Sequence, residues 1–317
     1  MDIIEVCRIF AYMSTFSDSV RNFLEGKGFH CKDETLSGID ILRVGDTHGN
    51  LRRTIVLLGI SARTIEEARL ISQRSRELIV WLREENDPVI ISEDIWNRNP
   101  EMSKGRLLAH LEIFIPVFAR NCEVRRIDKS TAGKFLSHSH TYGDAACRYR
   151  YGLFLKRHTG HIAEMVAEIP SLSRTVGSSD LVAVATFSNA RKWVKGDRII
   201  RSYEWTRYAS LPGVRVSGGM GKLLKAFIRD VGPDDIMSYA DLEWSEGKVY
   251  ETLGFQTEQE KEAVDFVVDG LTWERFPIRS GMTKNEGKGE GIAGVTGNLY
   301  FRNFGSAKYR LKLTQYE

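Results

Sequence analysis

The sequence is poor in cysteine: Cys7, Cys31, Cys122 and Cys147 are the only four in 317 residues, and no two are spaced as CxxC. That scarcity excludes a disulfide scaffold and argues against a structural zinc site, which needs closely spaced Cys or His pairs. Proline is also scarce, at 7 against 28 Gly, and the chain is 42% hydrophobic and 27% charged. Such a composition excludes collagenous and disordered classes. No run of 18 apolar residues is present to span a membrane. The N-terminal MDIIEVCRIFAYM carries Asp2, Glu5 and Arg8 in place of a basic start and an unbroken apolar stretch. Neither a membrane segment nor a signal peptide is expected, and a cytoplasmic, reducing location follows. The glycine-rich segment Leu211–Lys225 fits neither of the phosphate-binding patterns GxxxxGK[ST] and GxGxxG.

The net charge is only +3, but its distribution is uneven. Residues 1–118 hold 15 Lys and Arg against 18 Asp and Glu, a net of −3; residues 119–229 hold 20 against 8, a net of +12; residues 230–317 hold 10 against 16, a net of −6. A basic block of that size calls for an anionic partner, either a nucleic acid or a phosphorylated cofactor.

Hydrophobic periodicity divides the chain into a small α/β domain (1–118), a second α/β domain (119–257) and a C-terminal extension (258–317). In the first, SDSVRNFLEG (Ser17–Gly26) reads as a serine-capped helix, GIDILRV and TIVLLGI as a β-hairpin around GDTHGN, and Thr64–Glu85 as a long capped helix. PVIIS reads as a buried strand and Met102–Phe118 as a further helix. In the second domain, strands are expected at Cys122–Ile127, Tyr151–Leu155, Leu181–Ser188, Arg201–Ser210 and Ile236–Tyr239. Helices are expected at Ser130–Leu136, Gly218–Val231 and Gly247–Leu253. Residues 156–180 read as a polar insertion, and the glycine-rich Thr283–Gly297 as a mobile loop.

The strongest local signal is LPGVRVSGGMGKLLK (Leu211–Lys225): a strand, a glycine cluster, then a helix with an apolar face. Glycines allow close backbone approach, and a helix N-terminus offers N–H groups and a positive dipole end to an anion. Ser217, Gly218, Gly219 and Gly221 form the candidate phosphate loop, with Arg215 and Lys222 as counter-charges. A second cluster lies in HSHTYGD and SYAD. His138 and His140 alternate if the segment is extended, with Tyr142 continuing the face, and Asp241 lies just beyond a strand end. A histidine beside a carboxylate can deprotonate an amine, and a His, Asp and Tyr trio can also hold iron or another divalent metal. In the basic block, Arg148 and Arg150 alternate with Tyr149 and Tyr151, while Arg191, Lys192, Trp193, Lys195, Arg198 and Arg201 cluster around a loop. Cations and aromatics interleaved in this way suit phosphates and splayed bases.

The order strand, glycine loop, helix, strand and YETLGF (Tyr250–Phe255) resembles the C-terminal half of the GNAT acyltransferase superfamily. The resemblance implies a mixed α/β fold with a central mixed sheet and acetyl-CoA or a related acyl-CoA as cofactor. It also implies a bulged strand that positions the thioester carbonyl, a pyrophosphate on the glycine loop, and Tyr250 as general acid. The segments LSHSHTYGDAACRYRYGLFL, LVAVATFS, YEWTRYASLPGVRVSGG and SYADLEWSEGKVYETLGF, over roughly 122–256, also resemble phage DNA-modification proteins of the Mom type. That second likeness implies a pocket of His138 or His140 with Tyr142, Asp241 and Tyr250, an adenine exocyclic amine as acceptor, divalent iron as an alternative requirement, and DNA as partner. The element VIISEDIW resembles the acidic-Trp element of restriction-type nuclease cores. The strand TIVLLGIS lacks the carboxylate and lysine that such nucleases need to hold Mg²⁺, so a non-catalytic domain for DNA positioning or dimerisation is expected. A conventional acyltransferase acting on a small amine or a protein, and a non-enzymatic DNA-binding module, are the alternatives.

Overall fold

A computed structural model describes residues 15–156, 160–167, 180–278 and 299–315, the side chains of residues 163 and 167 excepted. The apolar N-terminal stretch with Cys7, most of the 156–180 insertion and the Thr283–Gly297 loop lie outside the described residues. The protein is a mixed α/β chain forming two compact units: Met1–Arg98 with Val264–Asn303, and Asn99–Ala263 with Phe304–Glu317. The sequence-based boundaries at 118 and 257 therefore differ from the structural ones. Residues 99–118 join the second unit, and 258–317 is divided between both.

In the first unit, helix α1 (Phe16–Glu25) starts at Thr15, two residues before the expected Ser17. Thr15 Oγ1 accepts from the Asp18 N–H, and the Asp18 carboxylate accepts from the Thr15 N–H, a capping box. Strands β1 (His30–Leu36), β2 (Ile39–Gly45) and β3 (Leu51–Leu58) form an antiparallel meander. Helix α2 (Ile65–Glu85), capped by Thr64 and Glu67, returns the chain to β4 (Val89–Ser92), parallel to β3. The sheet order is β1-β2-β3-β4. The short helix α3 (Glu93–Arg98) follows.

The second unit opens with α4 (Pro100–His110), capped by Asn99 and started by a proline at its first position. The helix expected over Met102–Phe118 ends early. Glu112 takes a positive φ of 66°, and Ile115–Phe118 is instead strand β5. There follow β6 (Cys122–Arg126), α5 (Lys129–Ser139), β7 (Tyr149–Leu155), α6 (Gly160–Ala167), β8 (Leu181–Phe187), β9 (Arg191–Lys195), β10 (Arg198–Ser210), β11 (Val214–Ser217), α7 (Gly219–Val231), β12 (Asp235–Asp241), α8 (Lys248–Thr252) and β13 (Gln256–Lys261). The chain then supplies β14 (Asp265–Val268), β15 (Arg275–Pro277) and β16 (Leu299–Arg302) to the first unit, and β17 (Ser306–Lys312) to the second. In the second unit the main sheet runs β13-β17-β12-β10-β8-β7-β6, with β9 paired to β10, while β5 and β11 form a separate parallel pair.

β14–β16 are fastened into the first unit by charge. The Arg275 guanidinium pairs with the fully buried Asp94, donates to Ser92 Oγ at 3.1 Å and lies 3.9 Å from the Phe301 ring centroid. Asp265 accepts from both Arg69 and Arg302 at 2.7 Å. The core of the second unit centres on Phe227 of α7. It stacks on Phe187 with centroids 3.9 Å apart and meets Tyr149, Tyr151 and Tyr203 edge-on.

Candidate functional site

The site begins where two strands of the second unit part. β10 and β12 run parallel through Ser202–Asp235, Tyr203–Ile236 and Glu204–Met237, and no further. The paired half is fastened by Asp235, whose Oδ1 accepts from Ser202 Oγ at 2.5 Å and from Arg310 Nη1 at 2.7 Å. At Thr206 a bulge interrupts the pairing of β10 with β8, which then continues through Ser210. A bulge bends the strand that carries it. Beyond this point β12 pairs only with β17, so the sheet opens between the second halves of β10 and β12.

Ser238 stands at the head of that opening. Its Oγ lies 3.0 Å from the Trp205 carbonyl oxygen and 2.8 Å from the Tyr250 hydroxyl. Ser238 has one proton and the carbonyl has none, so the serine donates to Trp205 and Tyr250 donates to the serine. Tyr250, on α8, also stacks on Tyr309 with centroids 5.1 Å apart. Burial pushes the pKa of its hydroxyl up and so favours the neutral form.

The glycine turn leads from β11 into α7. Gly218 takes φ +75° at the N-cap, the left-handed conformation that favours glycine. A Cβ on Gly219 would lie 2.9 Å from Val216 Cγ1 and 3.0 Å from the Tyr208 hydroxyl. No side chain caps this helix, and the first intrahelical bond is Lys222 N–H to Gly218 O. The N–H groups of Gly219, Met220 and Gly221 therefore precede the helical ladder. Lys222 is not a counter-charge in this turn, contrary to expectation. Its ammonium donates to the carbonyls of Ala119 at 2.8 Å and Cys122 at 2.6 Å, fastening the β5–β6 connection to α7. Arg215 is exposed, with its guanidinium 5.1 Å from the Phe114 ring centroid, and Ser217 is exposed as well.

The HSHTYGD segment folds differently from its sequence reading. Helix α5 runs on to Ser139, so His138 sits in its last turn and His140 is its C-cap. The two imidazoles do not share the face of an extended strand, because helical residues rotate about 100° per position. His138 Nε2 is buried without a hydrogen-bond partner, while its carbonyl accepts from Asn99 Nδ2 at 3.3 Å. His140 Nδ1 accepts the Tyr142 backbone N–H at 3.1 Å. Burial, helped by the nearby Arg207, pushes its pKa down to about 3. His140 is thus neutral with its proton on Nε2, a donor and not the base expected.

Tyr142 and Asp241, 99 positions apart, meet directly: the phenol donates to Asp241 Oδ2 at 2.6 Å. Asp241 Oδ1 accepts the Glu243 N–H at 3.0 Å, which fixes the carboxylate at the end of β12. Two arginines that sequence reading missed support the pair. Arg207 donates from Nε to Gly143 O at 3.1 Å and lies 6.0 Å from the Tyr142 ring centroid. Arg106 donates to Trp244 O at 2.7 Å and feels the charge of Asp241, while burial pulls its pKa down to about 10. Ser238 was within reach of sequence reading, since it opens the SYAD element; nothing local marks Arg106.

The expected aromatic platform next to Arg148 is not present. Tyr149 and Tyr151 turn into the core, where Tyr151 is 1% exposed. Arg150 donates to the Cys147 carbonyl at 2.9 Å with its Nε buried, whereas Arg148 is exposed. Arg191, Lys192 and Trp193 all lie exposed on β9. Among the described residues no three His, Cys, Asp or Glu side chains gather as a metal site. None of the described helices is long and apolar enough to cross a membrane.

No family model matches the chain, and no curated protein matches it. Among solved structures it is similar to YncA of Salmonella typhimurium, described as an acetyltransferase and solved with its cofactor acetyl-CoA. Identity is 15% over 62% of this chain and 96% of that one, with a TM-score of 0.30. It is similar also to a mutant of the toxin AtaT bound to the C-terminus of the antitoxin AtaR and acetyl-CoA, at 12% identity over 57% and 93% of the chains and a TM-score of 0.26.

Proposed function

We propose that the second unit is a GNAT-type transferase that carries an acyl group from acyl-CoA to an amine, the exocyclic amine of a nucleic-acid base such as adenine being the acceptor. The observation that carries this reading is the parting of β10 from β12 at a bulge, in a unit whose helix α7 begins uncapped after a glycine turn. A parted pair of strands presents backbone donors and acceptors to an extended, amide-bearing ligand, as an added strand would. The N–H groups of Gly219, Met220 and Gly221, with the dipole of α7, suit its pyrophosphate. The residues present therefore fit acyl-CoA, with the counter-charge left to Arg215 because Lys222 is occupied.

When bound, acyl-CoA supplies a thioester carbonyl open to attack by nitrogen. The chain's own groups manage the protons. Asp241, aligned by Tyr142 and Glu243, accepts the proton that the attacking amine must lose, directly or through the phenol. Tyr250 has a proton, but it is committed to Ser238; protonating a leaving sulfur requires that bond to open. His140 serves as a fixed Nε2–H donor. The acceptor assignment follows the likeness to Mom-type proteins and the meeting of Tyr142 with Asp241.

Titration calorimetry with acetyl-CoA tests the cofactor. Saturable binding that Gly219→Ala weakens supports it, and no binding refutes it. Mass spectrometry of nucleosides from cells expressing the protein tests the acceptor. An added acyl mass on adenine, lost in Asp241→Asn, is expected. Binding of acetyl-CoA with unmodified nucleosides would leave a transferase acting on small amines or proteins.

A further inference from the structure

We infer that the β9–β10 ribbon is a nucleic-acid contact surface in which Trp193 stacks on an unpaired base and the surrounding cations hold the flanking phosphates. This rests on the reading of the second unit as a transferase with a nucleic-acid acceptor. Among the described residues β9 has only β10 as a sheet neighbour, and all five of its residues are exposed. The register places Lys192 opposite Arg201 and Lys195 opposite Arg198, with Trp193 opposite Ile200 and Val194 opposite Ile199. Like charges directly opposite each other destabilise a strand pair, so this ribbon is arranged against its own stability. Among the described residues only Arg201 of these cations is offset, by Asp234 and the Gly232 carbonyl. Over the paired residues 191–202 four cations are left, Arg191, Lys192, Lys195 and Arg198, against one acidic residue, Asp197, in the turn.

Charge alone would be enough to protect an edge strand from pairing with another chain. It does not explain the apolar surface set among these cations: Trp193 is 50% exposed, Val194 78% and Ile199 63%. Exposed indole amid cations is the combination that single-stranded nucleic acids require, since every base has a face to stack and every linkage carries a charge. Arg191, Lys192, Trp193, Lys195 and Arg198 were singled out in the sequence; the structure places them on one ribbon and withdraws Arg150.

The test uses the full chain, a labelled 20-nucleotide single strand, the matching duplex and heparin, with fluorescence anisotropy across a salt series. Binding of the single strand is expected. Trp193→Ala should weaken it by about 5- to 100-fold, the range for one lost stacking contact. The quadruple change Arg191→Gln, Lys192→Gln, Lys195→Gln and Arg198→Gln should reduce the slope of log affinity against log salt by about 3, at roughly 0.7 per phosphate contact. Acetyl-CoA affinity, measured on the same variants, should not change. Single-strand binding that neither substitution alters overturns the assignment. So does a single strand that binds no better than heparin with Trp193 irrelevant. Failure of the wild type to bind any oligonucleotide overturns it also, while acetyl-CoA binding would leave the transferase reading standing.

Discussion

Asp94 and Asp241 occupy comparable places in their units. Asp94 lies two residues past β4, Asp241 at the end of β12. Their surroundings differ. Asp94 is fully buried against Arg275, with both of its oxygens engaged by that one guanidinium. Asp241 is partly exposed and faces a phenol and a backbone N–H, with Arg106 acting on it through the field. A carboxylate matched by its own arginine has its charge spent on holding the unit together. One held by weaker donors keeps acceptor capacity for a proton. Both lie in acidic-aromatic sequence elements, so chemistry here follows from what meets the carboxylate and not from the element that carries it.

The largest effect expected of this contrast is on turnover. Asp241→Asn should keep the Glu243 contact and lower the transfer rate about 10²- to 10⁴-fold, with unfolding by urea little changed. A rate unchanged with acetyl-CoA still bound would break the contrast. In the first unit, Arg275→Ala leaves a buried carboxylate without its partner and should cost about 3–5 kcal/mol. Urea denaturation should show that loss, with acetyl-CoA affinity unchanged.

A smaller effect belongs to the glycine turn. The methyl group in Gly219→Ala would crowd Val216 and Tyr208, and such overpacking costs about 1–3 kcal/mol. Acetyl-CoA binding should weaken in the same variant, which calorimetry would show. The remaining effect is on pH dependence. Folding lowers the His140 pKa from 6.5 to about 3, so between those values the unfolded chain takes a proton that the folded one refuses. The contribution is complete above pH 6.5 and lost as pH falls toward 3. His140→Gln should therefore flatten the acid side of the stability curve, measured by urea unfolding from pH 7 to pH 4. A curve identical to wild type would mean that the imidazole is not held neutral.

Much of the architecture was legible because it is local. The β2–β3 hairpin, α2 with its Thr64 cap, and the β11–α7 glycine turn all declare themselves within about 20 residues, through alternation, capping and turn chemistry. β1 was missed because HCKDETL is a polar, largely exposed edge with no apolar alternation. β5 was assigned to a helix because its four residues follow α4 with only a short break; what makes them a strand is pairing with β11, about 100 positions away. β17 was missed for a related reason, since it is inserted between β12 and β13 from the far end of the chain. At the site, Gly218, Gly219, Gly221, Tyr142, Asp241 and Tyr250 were legible as candidates. The tethering of Lys222, the donor state of His140 and the inward turn of Tyr149 and Tyr151 were not.

Read alone, the sequence established a cysteine-poor, mixed α/β chain with its positive charge concentrated in the middle, because composition and periodicity are properties of neighbouring residues. Which carboxylate is neutralised and which is kept for chemistry was decided by tertiary structure. Arg275 reaches Asp94 across 181 positions, and Tyr142 reaches Asp241 across 99. Contacts at such separations have no periodic signature. They exist because burial brings the strands together, and only then does geometry choose the partners.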